Sequence, residues 1–425
     1  MINEIVKSLL KYINEYHKYF KSGFLYLFAS MFTAVIGVAV NPFLAMNLSP
    51  GDYAIMGYYN SFSLIVLPIL NFSLISYYLR NYYKIPDERK QIVCDTILIT
   101  LLVYGFVALA LTCVVFYYYS RWSTISFSYY PFALLTFVPI YLGNFTTLYL
   151  AKCRLEREAG RYSAVTIVSA LLGTTLAILL VVIYKYGATG RLLASLLASL
   201  STAAYCFVKL FGKLQFDFTV IKDAFRFGWP LSLSAILWYF LSGIDRAMLE
   251  RLNDSYTFGF YNVGMQIAGY FAIFYTAVAQ VFEPDIYKAI AKNQTEKLVK
   301  IIVGIITLNA IPNIIFIIFA PSIIGLLTYN RYIDASEFAQ ILALKNISVS
   351  FYYSTITIIV GFGFTKTELL IRLIGSMLCI LMFRILINSF GFYGAAWGQV
   401  LSFVIMAVLS VSFLVYMKRK PSRYA

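Results

Sequence analysis

Charge is scarce in this sequence. Asp and Glu number 19 and Lys and Arg 34 among 425 residues, so 12% of the chain is charged, and it has one histidine. Soluble domains carry roughly 25% charged residues, and that class is excluded. The lone His17 has no metal-binding neighbour. The five cysteines, Cys94, Cys113, Cys153, Cys206 and Cys379, are scattered without CxxC spacing, mostly inside apolar stretches. Disulfides and zinc sites need clustered or exposed pairs, so these thiols read as small core residues. No phosphate-binding glycine loop and no nucleophile arrangement is present, and neither a cofactor nor a metal is expected.

What the chain has in abundance is apolar surface: 61% hydrophobic and 18% aromatic residues, with a mean hydropathy of +0.77. Lipid as the outer solvent accommodates that mixture, and the expected fold class is all-α integral membrane, because a helix satisfies its own backbone within a bilayer. A net charge of +15 on a soluble protein would suggest nucleic acid. Here the basic residues sit in small groups between apolar stretches, as cytoplasmic loops do beside anionic lipid. Membrane lipids are the expected partner and nucleic acid is not.

Twelve segments are long and apolar enough to span: 23–47, 53–80, 92–119, 129–151, 163–184, 191–212, 229–250, 258–282, 298–321, 337–361, 367–388 and 393–417. With the N-terminus inside, 26 of the 34 basic residues fall on the cytoplasmic side and 5 outside; Arg246, Lys345 and Arg384 remain within helices. Both termini are therefore expected in the cytoplasm. Residues 1–21 place Ile2, Ile5, Val6, Leu9, Ile13 and Phe20 at helical spacing against Lys7, Lys11, Lys18 and Lys21, an interfacial amphipathic helix and not a cleaved signal.

A faint repeat divides the chain. GATG at 187–190 and GFYG at 391–394 precede the sixth and twelfth segments at an offset of 204, and Ser30 and Asn41 stand to Ser234 and Asp245 at the same offset. SPGDYAIMGYYN and YTFGFYNVGMQ follow the first and seventh segments. The register predicts two parallel six-helix bundles, 22–212 and 228–417, joined by a cytoplasmic connector at 213–227 and followed by a basic cytoplasmic tail at 418–425.

Ionised groups at depth cost about 2.5–3.5 kcal/mol on insertion scales, so those that persist mark a watery path or a partner. Asp245 continues the stripe Ser234, Trp238, Ser242, while Arg246 can reach Glu250 at i+4. The stripe reads as a cavity wall; the alternative is that Arg246 snorkels outward and Asp245 braces another helix. Lys345 heads the row Lys345, Ser348, Tyr352, Thr355, beside Asn346, Ser350, Tyr353 and Thr357. That wide polar face suggests a binding surface; the alternative is a structural pair with Asp245 or Glu283. Ser30, Thr33, Gly37 and Asn41 share a face of the first segment, for cargo or for close packing, with Pro42 expected to break the helix. Pro68 and Pro139 would kink the second and fourth segments, and Arg80, Arg372 and Arg384 are expected to snorkel.

FRFGWPLSLSAILWYFLSGIDRAML followed by FGFYNVGMQIAGY, with the G-D-Y of Gly51 to Tyr53 and the G-x-x-G before the last segment, resembles bacterial polysaccharide flippases. These are the O-antigen and capsule repeat-unit transporters of the multidrug/oligosaccharidyl-lipid/polysaccharide exporter superfamily. The resemblance implies a V-shaped, two-bundle, alternating-access transporter in the bacterial inner membrane. It would move a polyprenyl-diphosphate-linked oligosaccharide to the outer leaflet, in possible association with polysaccharide polymerase machinery. Peptidoglycan-precursor flippases of the superfamily usually have fourteen spans. Lys345 and Arg246 would then attract the diphosphate, in a chamber with Asp245, Asn41, Ser348, Tyr352, Ser234 and Ser242. An outward-moving anion gains about 2.3 kcal/mol per charge per 100 mV of inside-negative potential, which is one energy source. Ion coupling through Asp245 or Glu283 is the other. A cation-coupled multidrug exporter and a membrane-bound oligosaccharide polymerase or ligase are the alternatives; the first would prefer an acidic cavity and the second needs large exterior loops, absent here.

Overall fold

A computed structural model describes residues 25, 28–29, 31–123, 126–212, 214–292 and 294–419. The expected amphipathic helix at 1–21, Ser30, and the tail beyond 419 lie outside the described residues. Among the described residues, all regular structure is helical. The helices are α1 (Met31–Asn47), α2 (Pro50–Asn71), α3 (Leu74–Asn81), α4 (Asp87–Trp122), α5 (Phe132–Leu155), α6 (Ala159–Ala177, continued by a π-helical turn at Ile178–Ile183), α7 (Gly187–Leu210), α8 (Phe218–Ser242), α9 (Ile244–Leu249), α10 (Ser255–Ala291), α11 (Thr295–Thr328), α12 (Ala335–Gly361) and α13 (Thr365–Arg419).

Among the described residues, seven helices are each long and apolar enough to cross a bilayer, and α8 with α9 makes an eighth if the bent pair is one span. The chain is a multi-pass membrane protein. Local sequence sets where helices start and stop. Ser49 and Asp52 cap α2 reciprocally, the Ser49 N–H donating to Asp52 Oδ2 (2.8 Å) and the Asp52 N–H to Ser49 Oγ (3.1 Å). Asp254 caps α10 by accepting from the Thr257 N–H at 3.0 Å. Gly391 adopts φ 57°, ψ −129°, a conformation open to glycine, and divides α13 into 365–390 and 392–419. Gly243 separates α8 from α9 at a bend of 48°. The expected break at Pro42 is not found: α1 continues through it to Asn47, with the loss confined to the one bond the proline nitrogen cannot donate.

Contacts divide the chain into two compact units that interleave in sequence. Unit 1 takes the described parts of Met1–Leu44, Ile69–Phe116 and Ala133–Leu231; unit 2 takes Ala45–Pro68, Tyr117–Phe132 and the described parts of Ser232–Ala425.

In unit 1 a polar clasp fastens the connector to the start of α4. Buried Asp95 accepts from Gln91 Nε2 (2.6 Å) and from the Gln215 N–H (3.4 Å), the Asp217 N–H donates to Thr96 Oγ1 (3.1 Å), and Arg89 pairs with Asp217. Asp217 also accepts from the Thr219 hydroxyl (2.5 Å) and N–H (2.9 Å). Those Thr219 hydrogen bonds, and then Arg89, hold the Asp217 carboxyl below the usual carboxylate range. A depressed folded-state pKa contributes stability that is present above the unfolded value, about 3.9, and is lost as pH falls through the folded one. Protection of the Asp217 and Thr219 amides against hydrogen exchange, relative to the intrinsic rate at each pH, is therefore expected to hold from pH 7 to 5 and to fall only below about pH 4. An equal fall in protection between pH 7 and 5 would contradict the clasp.

In unit 2, α2 and α10 approach so closely that two glycines are required. A Cβ on Gly259 would sit 2.1 Å from the Pro50 carbonyl oxygen, and one on Gly57 would sit 2.0 Å from the Asn262 side chain. Nearby, Tyr332 donates its hydroxyl to the Leu48 carbonyl at 2.6 Å, and Arg331 donates to the carbonyls of Ala45 and Met46. Gly259→Ala is expected to destabilise the protein by about 1–3 kcal/mol through overpacking against rigid backbone. Gly304→Ala, with nothing within 4 Å of its Cβ position, serves as the neutral control in the same thermal melt.

Candidate functional site

The ionised groups of the seventh expected segment lie where α8 gives way to α9, inside unit 2. Asp245 is fully buried. Its Oδ2 accepts from the Tyr261 hydroxyl of α10 at 2.5 Å, and its Oδ1 lies 3.7 Å from Arg246 Nε. The Arg246 guanidinium turns back to donate to the Ser242 carbonyl, one of the acceptors left at the end of α8. The expected Arg246–Glu250 pair does not form. Glu250 instead accepts from the Ser126 N–H at 2.6 Å, where the chain leaves α9 and tightens into a 3-10 turn at Glu250–Leu252.

Lys345 of α12 joins this group. Its Nζ donates to Ser242 Oγ at 2.9 Å and stands 5.7 Å from the centroid of the Phe403 ring. Among the described residues Lys345 makes no ion pair, with Asp245 or with Glu283. The site thus holds two cations and one carboxylate, with Asp245 committed to Arg246 and Tyr261. One positive charge is left, with a neutral hydroxyl and an aromatic face for company.

The other expected residues divide between this group and elsewhere. Ser234 and Tyr352 are buried beside Arg372: its Nη1 donates to the Ser234 carbonyl at 3.5 Å, and the Tyr352 hydroxyl has no hydrogen-bond partner among the described residues. Ser348 is half-buried and donates to the Leu344 carbonyl of its own helix at 3.3 Å. Asn41 is buried in α1 of unit 1. Glu283 is exposed on α10, accepting from the Tyr287 hydroxyl at 3.0 Å.

Much of the polar width of α12 is used in packing. Asn346 donates to the Ala268 carbonyl (2.9 Å) and to Asn313 Oδ1 (3.0 Å), and Asn309 donates to the Asn346 carbonyl (2.8 Å). Ser350 and Thr355 donate to backbone carbonyls of α12 itself, at 2.7 and 2.8 Å, as hydroxyls in apolar helices do.

Arg372 corrects an expectation. It does not snorkel: its Nε pairs with Glu368 Oε1 at 2.7 Å, its side chain is 17% exposed, and its guanidinium lies 5.9 Å from the centroid of the Trp238 ring. The i,i+4 spacing of Glu368 and Arg372 on an apolar segment was the legible signal. Tyr261, Asn309 and Asn313 carried none, since a single polar residue on a long helix does not announce its partner. Among the described residues no group of three His, Cys, Asp or Glu side chains is placed to hold a metal ion.

Long apolar helices with a small set of ionised side chains enclosed among them define a multi-pass integral membrane protein. The chain belongs to the polysaccharide biosynthesis protein family, whose model matches residues 19–290. No curated protein matches it. Among solved structures, an inward-facing multidrug resistance MATE family transporter of the MOP superfamily aligns with a TM-score of 0.73 at 15% identity, covering 92% of this chain and 95% of the other. The lipid II flippase MurJ in an inward closed conformation gives 0.69 at 14% identity, covering 92% and 87%. A Vibrio cholerae MATE transporter gives 0.58 at 13% identity, covering 96% and 97%. These likenesses establish the fold.

Proposed function

We propose that the protein flips polyprenyl-diphosphate-linked oligosaccharide repeat units from the cytoplasmic to the outer leaflet of the bacterial inner membrane, for O-antigen or capsule synthesis. The polysaccharide biosynthesis family supports a glycan cargo. The observation that carries the charge of that cargo is Lys345, an ammonium on a membrane helix with a serine and no carboxylate for partner. A net positive site suits a diphosphate and repels the organic cations of a multidrug exporter.

The same reading takes twelve crossings in two six-helix bundles, both termini cytoplasmic. The apolar stretch Lys366–Met417, 52 residues, would measure about 78 Å as one helix against a hydrocarbon core of about 30 Å. Its break at Gly391 makes it two crossings. With α8 and α9 as one, α1, α2, α4, α5, α6, α7, α10, α11 and α12 complete the twelve. Ser348, Tyr352, Ser234 and Ser242 stay proposed cargo residues within unit 2 and Asn41 one within unit 1, Asp245 and Glu283 remain the candidates for ion coupling, and the polymerase machinery is the proposed neighbour downstream.

Deleting the gene is expected to leave lipid-linked oligosaccharide on the cytoplasmic leaflet, measured by its protection from a glycosidase added outside spheroplasts, and the wild-type gene restores its exposure. Unchanged exposure on deletion would reject this function.

A further inference from the structure

Farther along α10 and α12, unit 2 forms an open cleft of about 310 Å³, with Glu283 and Tyr287 at its exposed edge. Tyr353 is eight residues beyond Lys345 on α12, roughly 12 Å along the helix, and Glu283 lies farther still, so this cleft neighbours the Lys345 group without including it. Its lining includes Tyr275, Tyr353, Thr357, Glu283, Glu368 and Arg372. Two carboxylates and one guanidinium leave it net negative, the opposite sign to the Lys345 group, and unsuited to a diphosphate. The aromatic components pack at a tilt: the Tyr275 and Tyr353 ring centroids are 5.9 Å apart at 35°, and the Trp238 and Tyr353 centroids 5.7 Å apart at 40°.

Planar carboxylate and guanidinium groups side by side offer acceptors and donors in the paired geometry that vicinal hydroxyls need. Tyrosine rings supply the flat apolar face against which a sugar's C–H face rests. The volume is at the lower end of the range for small-molecule sites, about 300–1,000 Å³. We propose that this cavity is a sugar subsite, taking one pyranose ring that is neutral or amine-bearing, with Glu368 and Arg372 on its hydroxyls and Tyr275 and Tyr353 against its face. The proposal rests on the reading of the cargo as a lipid-linked oligosaccharide, and assigns its sugar portion a site apart from its diphosphate.

Trp238, touching both Tyr353 and Arg372, is the reporter. The full chain in lipid nanodiscs is titrated with methyl glucoside, glucosamine, glucuronate and tetraphenylphosphonium while tryptophan emission is followed. A saturable change is expected with methyl glucoside or glucosamine, lost in Trp238→Phe, and about tenfold weaker binding with glucuronate, whose charge repeats that of Glu283 and Glu368. Glu368→Gln is expected to weaken the sugar about tenfold. Should that variant fail to fold, Val360→Phe, which fills the cavity without touching its charges, is expected to abolish binding by calorimetry. The proposal is overturned if neither neutral nor amine-bearing sugar binds, if glucuronate binds as well as they do, or if only tetraphenylphosphonium binds. Failure here with intact flipping in cells removes the subsite alone; sugar binding without flipping removes the transport reading and keeps the subsite.

Discussion

Lys345→Met is expected to lower flipping about ten- to a hundredfold while leaving the melting temperature unchanged or higher. The two effects separate because the ammonium makes one hydrogen bond to protein, to Ser242 Oγ, and no ion pair among the described residues. A charge so placed carries a desolvation cost that a methionine of similar length removes, so the fold loses little. A phosphate oxygen, by contrast, gains a charge-assisted bond of about 1.5–3 kcal/mol from that ammonium, which is the stated span of rates. Lys345→Arg keeps the charge and is expected to retain part of the activity. Thermal unfolding of the purified protein and glycan exposure in cells measure the two sides. A variant that melts early and exports in proportion to its folded amount would make Lys345 a structural residue.

Asp245→Ala is expected to cost about 3–5 kcal/mol, the largest loss for any one side chain in unit 2. Asp245 is fully buried, and its removal leaves the Arg246 guanidinium without a carboxylate and the Tyr261 hydroxyl without an acceptor. Removing both charges as Asp245→Ala with Arg246→Met is expected to be milder than Asp245→Ala alone, because no ion is then left uncompensated. Tyr261→Phe, which deletes one hydrogen bond to a charged group, should lie between about 1.5 and 3 kcal/mol. Equal losses for the single and double variants in thermal melts would show that the pair is not what holds this corner.

The all-helical membrane fold was legible because it depends on composition and apolar run length, which sequence displays directly. The charged site was legible in its members and less so in its pairings. Lys345, Ser242, Asp245 and Arg246 stand out as polar residues in apolar runs, and the structure brings them together. The i+4 spacing lets Arg246 reach Glu250 only if the α-helix runs on through Glu250; the 3-10 turn that begins there removes that premise. Arg372 reads as a helix-end residue from its position along α13, although Glu368 stands at i−4 on the same helix. What periodicity does not reveal is Trp238 of α8, whose ring lies beside the guanidinium. The polar width of α12 misled for a related reason: Asn346 and Ser350 are hydrogen-bonded to helix backbones and asparagines. Polarity in an apolar helix signals a partner, and the partner is protein as often as cargo.

The most direct measurement reconstitutes the purified protein in liposomes carrying a fluorescent polyprenyl-diphosphate oligosaccharide and follows its loss to an external quencher. Wild-type protein is expected to speed the transfer well above protein-free liposomes, and Lys345→Met to return it toward that baseline. A wild-type rate equal to the protein-free rate, or transport of a fluorescent organic cation in its place, would contradict the assignment of this protein to anionic lipid-linked glycans.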